Sequence, residues 1–319
     1  MAHNTKNTNK LQREDDAISP MSRTSKYGAL LTDYLKAIRI HHWPKNMLVF
    51  LPVLTGHLIN IENFSILLVL FFSLSFVASG MYLVNDLLDI ENDKKHPTKK
   101  FRAIASGSLS PKIAKVIASL LITIGILSSF STSFYAGILI TLYIVLVSSY
   151  SLYIKRIPFI EAVFLTLVYL LRIYIGLLVI DYLSMSQWMM IFSFFFFFFL
   201  ILVKRHTELM LYEESLEDNP TGRGYKIGNI NLIQSLTVVS ALVSLVVLGL
   251  YISSSKILTL YTSPTYLWAV ALSCFLWCAN VIICVQKGRM HNDPIVFAFT
   301  NRTSLALFFN SILFIILSL

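Results

Sequence analysis

Charge is scarce in this chain. Asp, Glu, Lys and Arg make up only 13% of its 319 residues, whereas 56% are hydrophobic. That balance excludes an ordinary soluble domain. Cysteine is rarer still: Cys274, Cys278 and Cys284 all fall in one apolar run. They offer no disulfide framework and no CxxC metal pair, so packing is their expected role. There is no Gly-rich loop of the P-loop type and no Ser-His-Asp or Cys-His grouping, which sets aside those routes to phosphate binding and covalent catalysis. Residues 1–46 lack an apolar core followed by a cleavage site, so no signal peptide is expected. No internal repeat is evident, which leaves a transporter built from duplicated halves without direct support.

What the chain has instead is a series of apolar runs of membrane-spanning length. They predict an all-α integral membrane protein with about nine transmembrane helices, over 47–61, 64–84, 112–131, 134–154, 159–180, 187–203, 230–252, 265–285 and 303–319. Pro52 should bend the first. Ahead of them, 1–25 read as a disordered tail. Residues 28–40 read as a surface amphipathic helix with Leu30, Leu31, Tyr34, Leu35 and Ile38 on its apolar face. The domain division expected is a disordered or surface-associated segment over 1–35 and one transmembrane helical domain over 36–319. The Phe194–Phe199 run reads as span filler, with contact to a lipid tail as the alternative.

The net charge of +9 could suggest nucleic acid, but its distribution points to the membrane. With the N-terminus in the cytoplasm, the inner segments are 1–46, 85–111, 155–158, 204–229 and 286–302. Apart from Lys256 in an outer loop and Arg172 mid-span, every Lys and Arg lies in an inner segment or within a turn of one. This satisfies the positive-inside rule. The expected location is therefore the inner, cytoplasmic membrane, multi-pass, with the active site facing the cytoplasm and no nucleic acid as partner.

The chain is organised around Asn85-Asp86-Leu87-Leu88-Asp89-Ile90-Glu91-Asn92-Asp93, at the inner mouth of the second span. On a helix Asn85, Asp86, Asp89 and Asp93 share one face. Three stacked carboxylates repel one another unless a cation neutralises them. Hard oxygen ligands without nearby Cys point to Mg2+, which commonly bridges carboxylates to phosphates. The bland alternative is a solvated helix end whose acids and lysines pair with each other. Lys99, Lys100 and Arg102 follow after Pro97, which should end the acidic helix, and suit phosphate oxygens; positive-inside ballast is their plainer role. A third cluster, Lys204-Arg205-His206-Thr207-Glu208, can share one helix side or serve as an ordinary ion pair in an interface belt. A fourth, Arg39-Ile40-His41-His42-Trp43-Pro44-Lys45-Asn46, offers Arg39 and Lys45 to phosphate and Trp43 as an interfacial anchor. Its adjacent histidines point to different faces and are a poor metal pair. Arg172, unpaired mid-span, should face a polar cavity, bordered at its inner mouth by Lys155 and Arg156. The inner loops share one compartment, so these clusters can converge on one site.

The stretches 39–46, 85–107, 171–176 and 204–209 make the sequence resemble the UbiA superfamily of membrane prenyltransferases over most of 36–310. That resemblance implies a nine-helix bundle whose NDxxDxxxD motif binds magnesium and a diphosphate on the cytoplasmic side. Within the superfamily the chain is similar to the phosphoribosyltransferases that act on polyprenyl phosphates. Where the wider superfamily has a second aspartate-rich motif, this chain has Lys204, Arg205 and Glu208. Ala103 stands where Pro is usual, and Asn301 where an acid is common. The implied reaction, of a kind that feeds cell-wall biosynthesis, moves 5-phosphoribosyl from phosphoribosyl diphosphate to a polyprenyl (decaprenyl-type) phosphate and releases diphosphate. The metal ligands would be Asp86, Asp89 and Asp93. Phosphates would be bound by Asn85, Lys99 and Arg102, with Arg39, Lys45, Lys155, Arg172, Lys204, Arg205 and Glu208 as further substrate-binding candidates. Two other readings are an aromatic-acceptor polyprenyltransferase using a prenyl diphosphate and an anionic-solute transporter. The transporter predicts ionisable groups buried in several spans, where the sequence marks only Arg172.

Overall fold

The computed structural model describes residues 32–95, 98–179, 186–214, 224–290 and 294–319. The predicted tail over 1–25, the start of the surface helix, Pro97 and Asp293 lie outside them. The described chain is helical, with no strand among the described residues. Its α-helices are α1 (Leu51–Thr55), α2 (Ile61–Leu88), α3 (Ile90–Lys95), α4 (Pro111–Thr132), α5 (Phe134–Leu152) and α6 (Ile160–Leu177), then α7 (Gln187–Glu214), α8 (Ile230–Ile252), α9 (Ser255–Leu260), α10 (Leu267–Gln286), α11 (Pro294–Thr300) and α12 (Arg302–Ser318). A further short helix covers 32–37.

Seven of these are long and apolar enough to cross a membrane: α2, α4, α5, α6, α7, α8 and α10. The 17-residue α12 is a shorter apolar helix. The first predicted span is the exception. Its place is taken by a 3-10 helix over Ile40–Phe50, with Pro44 inside it, followed by the five-residue α1. Each proline lacks the N–H that an α-helix interior would use. Pro52 therefore sits in the first turn of α1, where that N–H would be unpaired anyway, and starts a helix rather than bending one.

The chain forms two compact units. One comprises residues up to Pro44 together with Ser75–Gly125, and the other Lys45–Leu74 together with Ile126–Leu319. In the first unit a core of Ala37, Leu83, Ile104, Leu109, Ala114 and Ala118 holds α2, α4 and the loop between α3 and α4 together. Tyr34 and Ile38 pack against this core, while Leu35 stays exposed. The predicted surface helix thus spends much of its apolar face on protein.

In the second unit neighbours in sequence are neighbours in space: α5 packs on α6, α6 on α7, α7 on α8, α8 on α10 and α10 on α12. The phenylalanine run serves several neighbours at once. Phe199 joins the buried core with Val203, Cys278 and Val281, and Phe197 stacks on Tyr169 with ring centroids 5.1 Å apart. α1 lies against α6, as does Val49 just ahead of it, and Gly176 makes the approach possible. A Cβ there would stand 1.9 Å from the Val49 carbonyl oxygen. Gly176→Ala is therefore expected to destabilise the protein by about 3 kcal/mol, the upper end for an overpacked core. Thermal unfolding of the purified variant in detergent would check this; an unchanged midpoint would mean that the segment is free to move aside.

Candidate functional site

The acidic motif straddles the junction of α2 and α3. Asp89 lies between the two helices, yet Asp89 N–H donates to Asn85 O at 3.0 Å and Asp93 N–H to Asp89 O at 2.8 Å. Helical geometry therefore continues through the break, and Asp86 and Asp93, two turns apart, reach the same partner. Arg102 Nη1 donates to Asp86 Oδ1 at 3.0 Å and to Asp93 Oδ2 at 2.8 Å. Arg39 Nη2 adds a 2.6 Å bond to Asp86 Oδ1. The two carboxylate side chains are only 7% and 4% exposed, a burial that would be costly without these cations. Asn85 and Asp89 are half-buried, and Asp89 has no ion pair among the described residues. Among the described residues, pairing of acid with lysine within the helix occurs at Glu91 and Lys94 alone, and both are exposed.

Local structure delivers both arginines. Arg39 adopts a positive φ of 54° and its guanidinium lies 4.6 Å from the Tyr82 ring centre. The chain around it is pinned to α2 by Ser79, whose hydroxyl donates to Ile38 O at 2.6 Å and accepts from Trp43 Nε1 at 3.0 Å. Trp43 thus spends its indole N–H on protein. Arg102 follows a 3-10 turn over Lys99–Phe101, in which Lys99 is exposed. The buried Ile104 and Leu109 anchor the loop beyond it. Asp86, Arg39, Arg102, Lys36 and Asp33 line a cleft of about 470 Å³, together with Thr98 and the Ser106 and Ser108 end of the loop.

Among the described residues no three His, Cys, Asp or Glu groups converge as metal ligands. The donor chemistry nevertheless fits magnesium. Two carboxylate oxygens meet on one cationic nitrogen, that of Arg102, and Asp89 supplies a third carboxylate one helical turn from each. An oxygen-seeking cation could share the position that the guanidinium marks.

In the second unit Arg205 is buried on α7. Its Nε donates to Glu161 Oε1 at 2.5 Å, its Nη2 to Glu161 Oε2 at 3.4 Å, and its Nη1 to Glu208. Glu161, fully buried at the start of α6, also accepts from the Tyr150 hydroxyl at 3.0 Å. Nearby, the Tyr225 hydroxyl accepts from the Phe159 N–H at 2.9 Å, just where Phe159 takes a positive φ of 63° to begin α6. Burial, and after it the Glu161 carboxylate, push the Tyr225 hydroxyl well above the usual tyrosine range. It stays neutral at physiological pH.

Arg172 is buried within the protein. Its guanidinium donates to Asn46 Oδ1 at 2.9 Å, Val168 O at 2.9 Å and the Tyr143 hydroxyl at 3.0 Å, with the Tyr143 and Tyr169 rings 5.0 and 5.1 Å away. These partners offset the cost of a mid-span charge. Lys45 and Lys204, both half-buried, line a small cleft with Tyr169, Phe197, Leu200, Ile201 and Pro294. Lys155 is half-buried in the 3-10 turn between α5 and α6.

Sequence reasoning missed Glu161 and its tyrosines. The signal was there: an ionisable residue at the head of an apolar span is a candidate for pairing by default. The expectation that only Arg172 is charged and buried is accordingly corrected, since Asp86, Glu161 and Arg205 are buried as well.

Comparison with known proteins gives this geometry a family. An uncharacterised protein of Sinorhizobium fredii, y4nM, is 32% identical over 275 residues, 85% of this chain and 53% of that protein. The chain thus spans about half the length of that relative. A decaprenyl-phosphate phosphoribosyltransferase of Corynebacterium glutamicum is 33% identical over 186 residues, 57% of this chain and 56% of the enzyme. A UbiA homologue from Archaeoglobus fulgidus, solved bound to GPP and Mg2+, shares the fold with a TM-score of 0.63 at 12% identity, covering 89% of this chain and 96% of that one. Residues 49–312 match the UbiA prenyltransferase family directly. The chain is an all-helical membrane protein that belongs to the UbiA prenyltransferase family.

Proposed function

We propose that the protein transfers 5-phosphoribosyl from phosphoribosyl diphosphate to a polyprenyl phosphate, releasing diphosphate, on the cytoplasmic side of the inner membrane. One observation carries the reading over a prenyl diphosphate reaction. At the place of the superfamily's second aspartate-rich motif, both nearby acids, Glu161 and Glu208, are bound by Arg205. Among the described residues no carboxylate is left over there for a second metal. A site with one acidic cluster and extra cations suits a donor and an acceptor that both bring phosphate. The similarity to the Corynebacterium glutamicum enzyme, by its name a decaprenyl-phosphate phosphoribosyltransferase, supports the same conclusion.

The reaction is a displacement at the ribose anomeric carbon. The bond to the diphosphate oxygen breaks, the diphosphate leaves with the electron pair, and a lipid phosphate oxygen forms the new bond. That oxygen is already ionised near neutral pH, so no strong general base is needed. Asp86, Asp89 and Asp93 would hold magnesium, which when bound neutralises charge on the departing diphosphate. Arg102 and Arg39, gathered on Asp86, are positioned to donate to phosphate oxygens, with Asn85 and Lys99 orienting the donor. Lys155 is a further phosphate-binding candidate. Arg172 and Arg205, with their donors committed to protein, act as positioning residues. The transporter reading has no support from a family of transferases.

The test is a membrane assay with radiolabelled phosphoribosyl diphosphate, polyprenyl phosphate and magnesium, following label into the organic phase. Transfer that disappears with EDTA and in Asp89→Ala is expected. No transfer, alongside consumption of a prenyl diphosphate with an aromatic acceptor, would replace the proposal with the aromatic-acceptor reaction.

A further inference from the structure

The cleft beside Asp86 has walls of both signs. Lys36, Arg39 and Arg102 line it as cations, and among the described residues Asp33 and Asp86 are its carboxylates. Asp86 is committed to Arg39 and Arg102. Asp33 has no ion pair among the described residues, not even with Lys36 three positions on. Local packing holds it in the wall. On the short helix over 32–37, Ala37 is buried in the core of the first unit, and Tyr34 and Ile38 pack against that core. The segment that delivers Arg39 to the cleft therefore delivers Asp33, one helical turn before Ala37, to the same cleft.

An acid in a cleft that binds phosphates is a liability toward the phosphates, which it repels. Toward hydroxyl groups it is an asset. An ionised carboxylate only accepts hydrogen bonds, and its two oxygens can take a pair of them from neighbouring hydroxyls. The wall itself does not supply those donors, because Ser106 and Ser108 donate to Ala103 O at 3.3 and 3.2 Å. Phe101, 75% exposed, adds an aromatic ring suited to the C–H face of a sugar. A ligand with phosphates for the cations and a vicinal diol for Asp33 matches the whole wall. A prenyl diphosphate has no hydroxyl to offer.

We infer that Asp33 is a specificity-determining residue of this cleft: it accepts hydrogen bonds from the ribose 2- and 3-hydroxyls of a phosphorylated pentosyl donor and selects that donor over a prenyl diphosphate. The inference rests on the proposed donor chemistry and assigns its sugar to a particular residue. The probes are the unreactive carbocyclic analogue of phosphoribosyl diphosphate and its 2,3-dideoxy counterpart, which carries the same phosphates without the diol. Binding of each, with magnesium, is measured on the full chain in phosphatidylcholine nanodiscs, whose headgroups contain no diol. Wild type is expected to bind the diol analogue about ten- to a hundredfold more tightly, as hydrogen bonds to a charged group require. Asp33→Ala should lose that preference and bind the dideoxy analogue at least as well as wild type does. Equal binding of the two analogues by wild type, binding of neither, or an equal loss of both in Asp33→Ala would overturn the assignment. Diol-dependent binding without phosphoribosyl transfer would refute the proposed reaction and leave the role of Asp33 standing; transfer alongside equal binding of the analogues would do the reverse.

Discussion

Asp86→Ala is expected to cut the proposed phosphoribosyl transfer by about 10²–10³-fold, the range for losing a group that stabilises developing charge, and to lower stability as well. Asp89→Ala should lose as much activity and keep its stability. The difference comes from what each carboxylate holds in the folded protein. Asp86 Oδ1 accepts from both Arg39 and Arg102, so its removal takes that carboxylate from Arg39 and leaves Arg102 with Asp93 alone. Breaking a buried pair costs about 3–5 kcal/mol. Arg39 and Arg102 are 20% and 30% exposed, so solvent reduces this to about 2 kcal/mol. Asp89 has no ion pair among the described residues, and its loss should stay within about 0.5 kcal/mol. The two variants are compared by transfer assay and by thermal unfolding in the same detergent. An Asp86→Ala protein as stable as wild type would show that the arginines do not depend on it. Full activity in Asp89→Ala would remove that residue from the proposed metal site.

The part of this arrangement readable in the sequence is the part built from close neighbours. Asp86 and Asp93 lie seven residues apart, and helical periodicity alone brings them to one side. Arg102 follows within a short loop. The long apolar helices were legible for the same reason, α4 for example being expected over 112–131 and running from Pro111 to Thr132. Features set by distant partners were not. Hydropathy ends the sixth span at residue 203, but α7 continues to Glu214, because Glu161 on another helix neutralises Arg205. Arg172 announces a burden through its mid-span position, yet nothing local says that Asn46, 126 residues earlier, relieves it. The segment over 40–55 has the composition of a span. Its failure to form one continuous α-helix follows from two prolines and from the close contact of Val49 with Gly176.

Glu161→Leu should be the most destabilising substitution of an ionisable residue in the second unit, at about 3 kcal/mol, the lower end for breaking a buried pair, since it leaves a buried guanidinium with Glu208 as its remaining carboxylate. Arg205 is 2% exposed and Glu161 fully buried, so water can do little for whichever partner is left. Arg205→Met strands Glu161 in turn, with the Tyr150 hydroxyl donating to it and the Tyr225 hydroxyl beside it. Joining the two substitutions removes both charges together, and most of the lost stability should return, because a well-packed apolar pair often equals a buried ion pair. A double-mutant cycle on thermal unfolding in detergent measures the coupling; additive losses would show that the pair contributes nothing as a pair. The double variant also separates two roles for Arg205. If it positions α7 against α6, as its hydrogen bonds to Glu161 and Glu208 imply, the stable double variant retains phosphoribosyl transfer to within about tenfold. If Arg205 instead donates to a substrate phosphate in the reacting complex, stability recovers while transfer falls by about 10²-fold or more. A raised KM for phosphoribosyl diphosphate or for the lipid phosphate would then name the substrate that Arg205 holds.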